Sequence, residues 1–260
     1  MSMATMPLTL GTRMEGQRKT HYGVSPTDAT VSAGLAVHPA LPLSRTATAT
    51  AALATIRLFW IIVFGGVTGY LVETIYCVVT NGHFEWRGSM MFLPFNAVYG
   101  IGALALSVAT MSLGRTRNQI YVFLVGALTG TLVEFVCSFV QESLFGSVSW
   151  DYSQFPLNIG GRVCLLFSVF WGALAVLWSR AVLPTFEKVY AGFRPGVLKR
   201  LTMILAIVLV AAVLLSVLGL VRWRARLDGI PASTSCDAFF DAVFNDGVMA
   251  AFYPNMTFVG

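Results

Sequence analysis

Two carboxylates lie inside long apolar stretches of this 260-residue chain, each at the end of the same ladder of small residues. Gly65, Gly69 and Glu73 are spaced by four, as are Gly126, Gly130 and Glu134. That spacing sets the three side-chain positions on one face of an α-helix. An ionisable group in the middle of a membrane helix costs about 2.5–3.5 kcal/mol on insertion scales and is seldom placed there without a role. Two such carboxylates close together in a low dielectric can share one proton. The pair could relay protons, hold a cation or anchor a cationic substrate. In the bland reading, each glutamate is protonated or bonded to a nearby hydroxyl and serves as interhelical glue.

The two ladders belong to a duplication. Glu134 follows Glu73 by 61 residues and Gly126 follows Gly65 by the same interval, with Thr, Gly, Leu and Val repeated between them. A constant offset is the mark of a repeated unit. Small residues at this spacing let helix backbones approach closely. The simplest construction therefore packs the first and third spans together, carboxylates facing each other or a shared cavity. Each unit reads as a span, an outward loop and a second span. An even number of crossings preserves orientation, so the copies form a parallel pseudo-repeat about an axis along the membrane normal. Both glutamates then fall in the same, outer half of the bilayer. Phe92–Asn96 is echoed by Phe155–Asn158, with Pro and Asn offset by 62.

The elements that must carry these residues are membrane helices. The chain is 56% hydrophobic and only 11% charged, whereas soluble proteins carry about 25% charged residues. Stretches long enough to span (about 20 residues) lie at Leu58–Thr80, Ala97–Leu113, Gln119–Gln141, Val163–Leu183 and Leu201–Val221. The expected fold is an all-α integral membrane protein of about five transmembrane helices. Residues 1–56 form a Ser, Thr, Ala, Pro and Gly-rich tail expected to be disordered, with no signal-peptide pattern. Residues 57–222 form the bundle, with units at about 58–113 and 119–183 plus the span 201–221. Residues 223–260 are a C-terminal tail with one short amphipathic helix. There Phe240, Val243, Phe244 and Val248 recur at helical spacing opposite Asp237, Asp241 and Asn245. An acidic face favours docking on the protein's own surface over anionic lipid.

Arg45, Arg57, Arg115, Arg117, Arg180, Lys188, Arg194, Lys199 and Arg200 fall in segments that the positive-inside rule makes cytoplasmic, the N-terminus included. Five spans then leave Arg222, Arg224 and Arg226 outside, against the rule. The basic residues hug membrane edges and form no nucleic-acid stripe. Cys77, Cys137, Cys164 and Cys236 show no C-x-x-C pairing, and no metal-ligand set, P-loop or G-x-S-x-G elbow is present. No cofactor is implied.

The outward loops hold the other candidates: Arg87 in the first, Asn96 at its end, and Asp151, Asn158 and Arg162 in the second. Rich in Gly, Pro, Asn and aromatics, they read as re-entrant or interfacial segments, since irregular backbone at membrane depth must line a cavity. Arg87 and Arg162 are the natural partners for Asp151, Glu85 or the intramembrane glutamates. Otherwise they snorkel, and the Trp and Tyr form an interfacial belt.

Several of these residues carry a resemblance. Arg87-Gly88, Pro94-Phe95, Tyr99-Gly100-Ile101-Gly102, Trp150-Asp151-Tyr152-Ser153, Pro156, Asn158, Gly161–Leu165 and Phe170-Trp171-Gly172 make the chain similar to a bacterial family described as putative ABC-transporter type IV, or ABC transporter permease. The similarity covers about Gly65 to Trp178, and Tyr253–Met256 resembles the family's C-terminus. Where the family is expected to have Cys-Pro before Tyr-Gly, this chain has Asn96-Ala97. The resemblance implies a multi-pass protein of the bacterial cytoplasmic membrane, with no catalytic residues to carry over. A permease would need an ATPase from a separate chain. Pro184–Arg200, where Phe186, Tyr190 and Phe193 alternate with Lys188 and Arg194, is the candidate dock; held by snorkelling bases, it is otherwise an interfacial segment. Three readings stand: a permease-like subunit, alone or as a homo- or hetero-oligomer; a membrane enzyme acting on a lipid-linked or small polar substrate; and a non-transporting scaffold or regulator.

Overall fold

A computed structural model describes residues 43–113 and 118–259, with side chains from Ala51 onward. Helix α1 (Leu43–Asn81) is followed by α2 (Ala97–Ser112), α3 (Gln119–Phe145), α4 (Leu165–Leu177), α5 (Leu183–Ala191) and α6 (Pro195–Leu227). A π-helical stretch, Trp178–Val182, joins α4 to α5. There the amide of Leu183 reaches back to the carbonyl of Trp178, just before Pro184, whose ring removes the next N–H from the ladder. Leu165–Ala191 is thus one continuous helix.

Four helices are long and apolar enough to cross a membrane: Ala51–Asn81, Gln119–Phe145, Leu165–Ala191 and Pro195–Leu227. Helix α2 is apolar but has 16 residues, about 24 Å against a hydrocarbon core of about 30 Å. The chain is an all-α membrane protein, and the second of the five expected spans is this shorter helix. Two boundaries shift. Helix α1 opens at Leu43, inside the tail expected to run to residue 56, and α6 extends beyond 201–221 at both ends. The rest of that tail lies outside the described residues, as do Arg115 and Arg117.

Helix α2 is short because the loop before it doubles back. The amide of Asn96 donates to the carbonyl of Gly66 at 2.9 Å, about four helical turns short of the end of α1. The Asn96 side chain then caps α2, accepting from the amides of Val98 and Tyr99. The second loop does the same. Thr131 on α3 bonds Ser168 near the start of α4 at 2.7 Å, well before α3 ends at Phe145. Each loop folds back along the helix it follows.

The tail beyond α6 packs on these loops. Strand β1 (Ser147–Val148) pairs with β4 (Thr257–Phe258), while β2 (Asn158–Ile159) and β3 (Val163–Cys164) form a hairpin within the second loop. Helices α7 (Ser235–Val243) and α8 (Asp246–Phe252) replace the single amphipathic helix expected, because the chain leaves the first at Phe244 and Asn245 caps the second. Thr234 and Asp237 form a capping box for α7. Phe240, Phe244, Met249 and Tyr253 are buried with Met91, Leu220 and Trp223. Phe92, held at φ 62° in the first loop, meets Phe252 edge-on, with ring centroids 4.7 Å apart.

The same tail supplies partners for the arginines at the end of α6. Arg222 makes two bonds to Asp241 (2.8 and 2.6 Å), Arg226 bonds Asp241 and Asp246 at 2.8 Å, and Arg224 bonds Asp228 at 2.8 Å. All three arginines at the end of α6 are paired with carboxylates. Hydrogen bonds from Arg222, then Arg226, push the Asp241 carboxyl down to about 2. A depressed carboxyl pKa contributes stability that is present above the ordinary carboxyl range and lost as pH falls through the folded value. Tail docking should therefore hold above about pH 4 and loosen toward pH 2. Pepsin digestion should cut residues 229–252 increasingly over that interval, and Asp241→Asn should make the tail cleavable already at pH 4. Equal resistance of both proteins across the range would show that this pair does not hold the tail.

Candidate functional site

Each glycine ladder is filled from within its own unit. A β-carbon placed on Gly65 would come within 2.2 Å of Ala103 Cβ, and one on Gly69 within 2.2 Å of the Tyr99 side chain. In the second unit a β-carbon on Gly126 would come within 2.0 Å of Ala175 Cβ, and one on Gly130 within 2.3 Å of the Trp171 ring. The small residues thus bring α1 against α2 and α3 against α4, which corrects the expected pairing of the first and third spans. Bulky aromatic rings on α2 and α4 take the grooves that the glycines leave.

The same rings reach the carboxylates. Tyr99 Oη donates to Glu73 Oε1 at 2.7 Å, and Trp171 Nε1 donates to Glu134 Oε2 at 3.2 Å. Tyr99-Gly100 and Trp171-Gly172 are therefore equivalent, as are Ala103 and Ala175, all 72 residues apart. The first helices of the units are offset by 61. The difference is taken up in the second loop, which carries the β2–β3 hairpin. The Pro and Asn echo at 62 consequently marks no structural equivalence: Asn96 caps a helix, whereas Asn158 lies in the hairpin.

These contacts draw the two carboxylates into one connected cluster. The Tyr99 and Trp171 rings lie 5.7 Å apart, and Trp171 also covers Gly102 of α2. Tyr152, from the second loop, donates to the other oxygen of Glu134 at 2.8 Å. A path of contacts runs Glu73, Tyr99, Trp171, Glu134, Tyr152. Glu134 is 7% exposed, while Glu73 is half-buried. The Tyr152 phenol is the donor in its bond to Glu134, whose carboxyl oxygen accepts.

One helical turn beyond each glutamate the symmetry continues. Arg87 lies 3.4 Å from Cys77 Sγ and 3.3 Å from Glu85. Arg162 bonds Ser138 Oγ at 3.2 Å, pairs with Glu142, and sits over the Phe139 ring at 5.6 Å. Cys77 and Ser138 are again 61 apart, as are Asn81 and Glu142. Hydrogen bonding by Asn81, more than the charge of Arg87, holds the Glu85 carboxyl below its ordinary range.

The expected partnership of Arg162 with Asp151 gives way to Glu142. Asp151 instead accepts from the amide and hydroxyl of Ser153 at 2.8 and 3.0 Å. A β-carbon on Gly161, at φ 69°, would meet the Asp151 carboxylate at 2.4 Å, so this turn needs glycine. Asn158 accepts from the Gly161 amide and donates to the Phe155 carbonyl. Asp151, Asn158 and Asn96 shape backbone. Arg87 and Arg162 flank the carboxylates. Tyr99, Trp171, Tyr152 and Glu142 are the participants that sequence reasoning missed. Glu142 had a readable signal of its own, two rungs beyond Glu134 on the repeated ladder. Among the described residues no group of three or more His, Cys, Asp or Glu is gathered as a metal-ligand set.

No curated protein and no solved structure shows a significant match to the chain. The sequence model of one family, described as "Putative ABC-transporter type IV", matches residues 60–217. That range holds both glycine ladders, both glutamates, both loops and most of α6. The chain belongs to this family.

Proposed function

We propose that this protein is the permease-like membrane subunit of a transporter, in which Glu73 and Glu134 form one site for a proton or cation. The observation that carries the reading is the contact path between the two repeat-equivalent carboxylates through Tyr99 and Trp171. A carboxylate can take up and release a proton while its aromatic partners hold it in place. Arg87 and Arg162 flank the site, one turn nearer the loop end. Each is already charge-compensated, so neither cancels a glutamate.

With no P-loop in the chain, ATP hydrolysis would come from a separate subunit. That subunit would meet the end of the bundle opposite the loops. Under the positive-inside rule this end is cytoplasmic, as is the N-terminus, and the family resemblance points to a bacterial inner membrane. One observation favours the scaffold reading instead: both oxygens of Glu134 are already bonded, to Tyr152 and Trp171. Isolation in mild detergent should yield an ATP-binding chain in fixed proportion. Its ATPase rate in proteoliposomes should depend on this subunit and fall at least ten-fold with Glu73→Gln. An isolated chain with no ATP-binding partner, or an ATPase rate indifferent to this subunit, would favour the scaffold.

A further inference from the structure

The two ends of the bundle treat their positive charges differently. At the loop end every described arginine has a carboxylate: Arg87 with Glu85, Arg162 with Glu142, Arg222 and Arg226 with Asp241, and Arg224 with Asp228. At the other end Arg57 pairs with Glu187. Lys188, Arg194, Lys199 and Arg200 are exposed and make no ion pair with the described residues. All four lie within the elbow that turns α5 into α6. Charge left uncompensated by the protein is charge available to its surroundings.

The elbow is also apolar in the right places. Phe193 and Val197 are exposed between the bases. Phe186, expected to face a docking protein, is buried against Phe64, and Tyr190 stacks on Phe186 at 5.6 Å. Those rings belong to the bundle, which leaves a partner protein little aromatic surface to grip. The first turn of α6 points its amide groups into the same region: Arg194 stands at the N-cap with no side-chain cap bond, and no acidic residue lies in that turn. An uncapped helix start attracts anions. Bases interleaved with exposed apolar side chains, beside an uncapped helix start, match a surface of anionic headgroups over acyl chains.

We propose that the α5–α6 elbow binds anionic phospholipid headgroups through Lys188, Arg194, Lys199 and Arg200. The inference stands apart from the transport reading, since neither glutamate enters it. Near a charged membrane surface each base is worth about five-fold in affinity, and salt weakens that attraction.

The test uses the full chain in neutral detergent and measures its melting temperature with added lipid. Short-chain phosphatidylglycerol should raise it by several degrees more than phosphatidylcholine of the same chain length. The difference should shrink in high salt, and inorganic phosphate alone should not reproduce it. A quadruple variant, Lys188→Gln, Arg194→Gln, Lys199→Gln and Arg200→Gln, should keep its melting temperature in phosphatidylcholine and lose most of the extra shift. Should it fail to fold, a charge-keeping variant, Lys188→Arg with Lys199→Arg, should retain the extra shift while wild type loses it to salt. Equal shifts with both lipids, or an extra shift that salt leaves untouched, would overturn the proposal. So would bases that matter only for holding an ATPase chain, with no lipid preference.

Discussion

Gly130→Val is expected to prevent the second unit from assembling, because a β-carbon at this position lands on the Trp171 side chain. Its three nearest atoms would be Trp171 Cγ, Cδ2 and Cβ at 2.3, 2.4 and 2.5 Å. These belong to the base of a buried ring that cannot swing aside without surrendering its bond to Glu134. Overpacking a tight core costs roughly 1–3 kcal/mol and sometimes more. Gly130→Ala should fall in that range and Gly130→Val beyond it. Melting of the detergent-purified protein would show the first as a clear drop and the second as loss of monodisperse material. Gly196→Ala is the control: nothing lies within 4 Å of a β-carbon there, and alanine suits a helix better. Trp171→Leu should partly rescue Gly130→Ala, because the two sites share one space and cannot add independently. Strict additivity would mean that the groove is not filled as described.

The ladders themselves were legible. Their spacing and constant offset announced a duplicated pair of close-packing faces, and the apolar runs gave the all-α bundle. What fills the grooves was not. A glycine says that something approaches closely and nothing of what approaches, so packing the first and third spans together was the simplest construction. The answer lay in Tyr99 and Trp171, two different aromatics at an offset of 72 that no comparison at 61 or 62 would align. The loops hid it, because the β2–β3 hairpin shifts the register between the two halves of the repeat. Loop polar residues misled in a related way. Asp151, Asn96 and Asn158 belong to the types that cap helices and close turns as readily as they bind ligands, and here they cap and close. The partners of the arginine triplet at the end of α6 were equally hidden, because they lie on the tail that folds back over it. Asp228, Asp241 and Asp246 neutralise it from positions 4 to 20 residues further along the chain.

Replacing either glutamate by glutamine should separate proton or cation handling from simple glue, and the local geometry makes this a fair test. Glu73 accepts one bond, from Tyr99, and glutamine keeps an oxygen for it. Glu134 accepts from both Tyr152 and Trp171, and glutamine has only one acceptor oxygen. The indole can only donate, so that oxygen must turn toward Trp171. The new amide then faces the Tyr152 hydroxyl, which can rotate and accept. The packing survives in both variants, and the exchangeable proton and the charge do not. If the pair acts as one site, Glu73→Gln and Glu134→Gln should each lower the ATPase or transport rate of the reconstituted complex at least ten-fold. The double variant should be little worse than either, with a coupling of roughly 1–3 kcal/mol. Tyr152→Phe adds a structural check. Alone it removes one donor from Glu134, but combined with Glu134→Gln it strands a buried amide, at a cost of about 1–3 kcal/mol in stability. Wild-type rates in both single variants, at unchanged abundance in the membrane, would leave the carboxylates as interhelical glue and the protein as a scaffold.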